Sequence, residues 1–219
     1  MGDKRGQAYL TSAPIDPDKG NTEMSDTPMF TPFTLRGMTV RNRLVMSPMC
    51  QYSAIDGTVN DWHVVHLGSR AMGGTGLVIT EMTDVSPEGR ISNGCAGMYK
   101  PEHVDAWKRV VDFVHSHSDA KIAIQLAHAG RKASCEVAWE GGGSLPDNQA
   151  WEIIAPSPIP FSADSQTPRQ MTEDDMARLI DAFAQGTRWA NEAEFDMIEI
   201  HGGHGYLISS FISPLSNTR

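Results

Sequence analysis

The sequence predicts an α/β fold on a parallel sheet, with the architecture of a TIM (β/α)8 barrel of which the chain holds about the first four βα units. Three observations carry this. Short apolar segments alternate with amphipathic helical ones, the pattern of βα repeats. Strand segments such as Lys121-Ile122-Ala123-Ile124-Gln125-Leu126 are apolar on both faces, as parallel sheets require. Polar residues gather where the apolar segments end, and barrels of this kind place their sites at strand carboxyl ends.

The elements follow in order. Residues 1–28 are rich in Gly, Pro, Asp, Lys, Ser and Thr without periodicity and read as a disordered tail. From Met29 to Arg219 the pattern is that of one globular unit. Arg43 to Pro48 is a short apolar strand stopped by proline. Trp62 to Met72 has helical spacing and runs into Gly73-Gly74, a helix stop. Gly76 to Met82 is a buried strand. His103 to His117 is an amphipathic helix with Val104, Trp107, Val110, Val111 and Val114 on one face. The strand at 121–126 comes next, then a Gly/Pro/Ser-rich excursion over 129–170, too long for a passive connection and suited to a lid or substrate loop. Thr172-Glu173-Asp174-Asp175 opens a helix in the manner of a capping box, with Asp at the third position. That helix reaches about Glu192. A strand over Met197–Ile200 and a short helix over Leu207–Ile212 complete the pattern.

Bulk properties exclude some classes. The 219 residues carry a formal net charge of −9 with no Lys/Arg cluster, which argues against nucleic-acid binding. No run of apolar residues is long enough to span a membrane. The N-terminus lacks the apolar core of a signal peptide, and Cys50, Cys95 and Cys135 form no CxxC pair. Both features point to reduced thiols and the cytoplasm.

Chemistry is concentrated at three strand ends: Ser47-Pro48-Met49-Cys50-Gln51-Tyr52, Gln125 to His128, and His201-Gly202-Gly203-His204-Gly205-Tyr206. Gln125 offers an amide donor and acceptor. His201 and His204 can each donate a hydrogen bond to a substrate oxygen on which negative charge develops. A zinc reading of His201-x-x-His204 or His63-x-x-His66 lacks further ligands, so no metal is expected. His63 and His66 lie in a helical pattern and read as packing or capping residues. Arg131 either orients acidic groups or pins its loop.

The segments SPMCQYS, ITEMT, SPEGRIS, IQLAHAGRKAS, WEGGG and HGGHGYLISSFISPLSNTR, collinear from about Met29 to Arg219, resemble the Old Yellow Enzyme family of FMN-dependent NAD(P)H oxidoreductases. The likeness is to its cysteine-containing, "thermophilic-like" branch, and the chain is also similar to the flavin-reductase-type domain of aryl-CoA monooxygenases. The resemblance implies FMN as cofactor and NADH or NADPH as hydride donor. Ser47, Pro48, Met49, Cys50, Met82 and Gln125 would line the flavin, with Cys50 tuning its redox potential. It further implies hydride transfer to an activated alkene held by Tyr52, His201 and His204, with Tyr206 giving the α-carbon its proton. Ala193-Glu194-Phe195-Asp196 departs from the family's Ala-Gly-Phe-Asp. A non-glycine residue is thereby expected in a left-handed turn, at a cost of about 1 kcal/mol. Gly203 stands where alanine is common. A full barrel has eight strands and holds a cofactor phosphate after the seventh and eighth. With four strands, the chain reads as the N-terminal half of such an oxidoreductase, either truncated or complemented by a second polypeptide; the alternative is a truncated, non-catalytic half-barrel, an inactive remnant that does not hold FMN alone. At full length a homo-oligomer is expected.

Overall fold

A four-strand run of parallel sheet organises the molecule, and the computed structural model describes residues 27–219 of it. The expected tail therefore falls, apart from Thr27 and Pro28, outside the described residues. The chain enters through an antiparallel hairpin, β1 (Phe33–Leu35) and β2 (Met38–Val40), turned by Arg36 at φ 51° and Gly37. β3 (Val45–Met46) is followed by α1 (Asp61–Met72), β4 (Leu77–Asp84), a two-residue strand β5 (Ala96–Gly97) beside the end of β4, α2 (Glu102–His117) and β6 (Lys121–Ala127). The excursion contributes β7 (Ile154–Ala155) and β8 (Arg169–Gln170), paired with each other. Then come α3 (Glu173–Glu192), β9 (Met197–Ile200) and α4 (Leu207–Ile212). The sheet order β3-β4-β6-β9 is parallel throughout, which is the expected succession of four βα units.

The two faces of the sheet are used differently. Ile122, Ile124 and Leu126 of β6 and Ile198 of β9 pack with Leu67 of α1, Trp107, Val110 and Val114 of α2, and Ala190 of α3. This is the helix-covered side of a βα barrel. On the other side Ala123 packs with Leu77, Ile79 and Met197, closed from below by Met38 and Val40 of the hairpin. Strand alternation forces the division, since successive side chains point to opposite faces.

Helix ends match the local chemistry. Thr172 caps α3 by accepting from Asp175 N (3.1 Å), and Asp175 Oδ2 accepts from Thr172 N (2.8 Å): the capping box closes with Asp at its third position. Asn60 and His63 form another at the start of α1. Glu194 adopts φ 66°, the left-handed turn expected where glycine is replaced. Differences from expectation are local. The first strand shrinks to Val45–Met46. The hairpin at 33–40 and the pairs β5 and β7–β8 are additions, and β4 extends two residues beyond Met82 to Asp84.

Candidate active site at the carboxyl ends of the sheet

The register of the sheet builds the floor of the site. Met82 of β4 pairs with Gln125 of β6, and Gln125 with Glu199 of β9, so the three stand in one row across three strands. A register shift between Ile79 and Met82 precedes that row. There the Thr80 hydroxyl, rather than a carbonyl, accepts from Gln125 N (3.2 Å). Such irregularities re-aim side chains at the ends of barrel strands.

Above the row lies a cavity of about 500 Å³. Its lining includes Ser47, Pro48 and Cys50 from the segment after β3, Met82, Gln125, and His201, His204 and Tyr206 from the turn after β9. Of the residues expected at a site, Met49 and Tyr52 are not among those lining it. Met49 is 45% exposed, and Tyr52 lines a neighbouring cavity, into which Tyr206 also faces. Glu199 is a lining residue that sequence reasoning missed. Its signal was the period of two in Met197-Ile198-Glu199-Ile200-His201, which puts Glu199 on the same face as His201. Gln125 Nε2 donates to Glu199 Oε1 at 2.5 Å.

The histidine pair is wired in series. Gly203 N donates to His201 Nδ1 (3.4 Å), so a neutral His201 carries its proton on Nε2. That Nε2 lies 3.3 Å from His204 Nδ1 and donates to it, which leaves the His204 proton on Nε2. Expectation had each ring free to donate; here one N–H is spent on the other ring. His201 is held below the ordinary imidazole pKa by desolvation and then by His204. Among the described residues, no group of three or more His, Cys, Asp or Glu could hold a metal ion.

Tyr206 N donates to Gly203 O (3.2 Å), and the next residue, Leu207, ties back to the end of β6 through His128 O (3.0 Å). The serines of α4 lock this turn. Ser209 Oγ donates to Gly203 O (3.0 Å) and Ser210 Oγ to Tyr206 O (2.8 Å). Burial raises the Tyr206 phenol above its ordinary value, with nearby thiols adding. The Cys50 thiol is pushed up to about 12 by burial, reinforced by Glu81 and Asp84, so it is a neutral S–H near pH 7. Tyr52 sits at φ 50°, a strained conformation that clusters at functional sites. Gly94 permits it, since a Cβ there would meet Tyr52 O at 2.4 Å.

His63 and His66 stay outside the cavity. His63 is 1% exposed, accepts from Asn60 N through Nδ1 (3.1 Å) and holds Nε2 3.1 Å from Glu81 Oε1, within ion-pair distance though outside hydrogen-bond angles. Arg131 pins its loop: Nη1 donates to Pro160 O at 3.2 Å. Cys95 is buried beside Ser92, and Cys135 lies in the excursion; both are free thiols.

Four parallel βα units with polar and aromatic groups collected at their strand ends are one half of the α/β-barrel layout that places ligand sites at that end. The chain belongs to the NADH:flavin oxidoreductase / NADH oxidase family, whose profile matches residues 28–219. It is 50% identical to an NADPH dehydrogenase of Geobacillus sp. (strain WCH70), over 89% of this chain and 53% of that protein. It is 43% identical to an NADH:flavin oxidoreductase of Gibberella zeae, over 98% of this chain and 52% of that protein. Among solved structures, morphinone reductase superposes with a TM-score of 0.77 at 27% identity, over 90% of this chain and 54% of that one. Old Yellow Enzyme from Pichia sp. AKU4542 superposes with a TM-score of 0.78 at 28% identity, over 89% and 50%. The chain spans about half the length of the relatives it matches. No helix among the described residues is long and apolar enough to cross a membrane.

Proposed function

We propose that the strand-end cavity is the flavin and substrate site of an FMN-dependent NAD(P)H oxidoreductase that reduces activated alkenes. The observation that carries the reading is the convergence of Cys50, Met82, Gln125, His201, His204 and Tyr206 on one 500 Å³ space. That volume lies within the range of cofactor pockets. The donor set fits the flat end of FMN. Gln125 supplies an amide to a pyrimidine edge, Ser47, Pro48 and Cys50 supply one wall, and Met82 supplies an apolar contact. When bound there, FMN would supply the hydride chemistry, with NADH or NADPH as its source and the β-carbon of the alkene as its destination.

The chain's own residues do the rest. His204 Nε2 donates to the carbonyl or nitro oxygen of the acceptor, and His201 turns its Nε2–H from His204 to the same oxygen. Two donors aimed where negative charge develops lower the barrier by electrostatic stabilisation. Tyr206 gives its phenolic proton to the α-carbon. A phenol held protonated by burial is always loaded for that step, and the Lys132 ammonium, 4.6 Å from the ring centroid, favours the phenolate left behind. Tyr52, beside Tyr206, closes the substrate side. The free thiols Cys50, Cys95 and Cys135 support a reducing, cytoplasmic setting.

The test separates the two half-reactions by stopped-flow in the FMN-loaded protein. Tyr206→Phe should leave flavin reduction by NADPH intact and slow reoxidation by cyclohex-2-enone about 10²-fold or more. Equal rates of reoxidation would remove Tyr206 from the acid role. Failure to retain FMN would favour the reading as a non-catalytic half-barrel.

A further inference from the structure

Beyond Tyr206 lies a second cavity of about 390 Å³, formed mostly by the 129–170 excursion, with Tyr206 in the wall of both spaces. Arg131 and Lys132 line it together with Phe161. Their hydrogen bonds run only to backbone carbonyls: Arg131 Nη1 to Ile159 and Pro160, and Lys132 Nζ to His204 O at 3.1 Å. Arg131 Nε is buried with no partner. The carboxylates of Glu136 and Asp164 also line the cavity, yet among the described residues neither forms an ion pair with Arg131 or Lys132. The ammonium of Lys132 is held between two rings, 4.5 Å from the Phe161 centroid and 4.6 Å from Tyr206.

Two adjacent cations, half-buried and without a counter-charge, are costly unless something negative joins them. Desolvation chiefly, with the Arg131 charge adding and Cys135 opposing, holds the Lys132 pKa below its ordinary value. A guanidinium fork beside an ammonium matches the oxygens of a phosphate or carboxylate. We propose that this second cavity is an anion subsite, in which Arg131 and Lys132 hold a phosphate or carboxylate carried by a molecule whose reacting end lies at His201, His204 and Tyr206. This rests on the strand-end cavity being the reaction site. The two sources of such an anion are the nucleotide donor and an acidic alkene.

Calorimetric titration of matched probes distinguishes them: cinnamaldehyde against 4-carboxycinnamaldehyde, and NADH against NADPH. At low salt the wild-type protein should bind the more anionic member of at least one pair about tenfold more tightly, and salt should erode the difference. Preference within the aldehyde pair assigns the subsite to a substrate carboxylate; preference within the nucleotide pair assigns it to a phosphate. Lys132→Gln should reduce the preference to less than about threefold, and Lys132→Arg should restore it. Arg131→Lys keeps the charge where the loop needs a cation, so a folding defect is separable from loss of recognition. No preference in either pair, or a preference untouched by Arg131→Gln with Lys132→Gln in a folded protein, overturns the proposal. Charge preference without any NAD(P)H oxidation supports the subsite and sinks the reaction assigned to the neighbouring cavity.

Discussion

The molecule contains the spacing His-x-x-His twice, and the two copies have opposite fates. His63 lies in the first turn of α1, buried, with one ring nitrogen capping the helix and the other facing a buried Glu81. His201 and His204 lie on a glycine turn after β9, wired to one another and facing a cavity. Neither residue type nor spacing decides the role. The element does: a helix start consumes a ring nitrogen as a cap, whereas a turn beyond a strand end leaves the last one for a ligand.

The largest effect that sharpens this contrast is on stability. His63→Ala removes the ring facing Glu81 Oε1, leaving that buried carboxylate held only by Gln51 N, and takes away half of the α1 capping box, so it should cost about 2–4 kcal/mol. A shift in the urea midpoint reads it. The same change at both His201 and His204 should alter the midpoint little, within about 1 kcal/mol, yet weaken binding of phenol or an enone to the FMN-loaded protein by tenfold or more. Undiminished binding would sink the role of the pair. Tenfold weaker binding in a folded His63→Ala would erase the contrast.

Most of the scaffold was legible in the sequence, because long apolar strands and amphipathic helices carry their period with them. Leu77 to Met82, Lys121 to Leu126 and Met197 to Ile200 sit in strands, and the helices from Thr172 and at 103–117 stand within a residue or two of their expected ends. The hairpin at 33–40 was passed over although Arg36-Gly37 between alternating residues is its signal. Glu199 was hidden because an acid within an apolar strand reads as an exception until register sets it opposite Gln125. The series wiring of His201 and His204 depends on one backbone amide, Gly203 N, and no spacing rule contains it.

A smaller effect concerns pH. Asp84 is wholly buried at the end of β4 with neither carboxyl oxygen partnered, and burial raises its pKa well above the usual 3.8. Folding therefore takes up a proton, and the contribution to stability is full below the unfolded-state value and lost as pH rises through the folded one. Asp84→Asn should flatten the decline in stability that sets in as pH rises above the ordinary carboxylate value of 3.8, measured by thermal melts at each pH. A decline as steep as in the wild type would remove Asp84 as its source. Ser210→Ala should have the smallest effect, about 1 kcal/mol from the lost hydrogen bonds to Gly205 O and Tyr206 O, with a few-fold slower alkene reduction as the Tyr206 turn loosens.

The most direct measurement of the central claim is a titration of FMN followed by quenching of its fluorescence, in the wild-type protein and in Gln125→Leu. Gln125 stands mid-row between Met82 and Glu199 under the cavity. If the flavin lies on that row, the wild type quenches saturably and the variant binds at least about tenfold more weakly, with an unchanged far-ultraviolet spectrum. Saturable quenching of equal affinity in both proteins would contradict the placement of the flavin over the carboxyl ends of these strands.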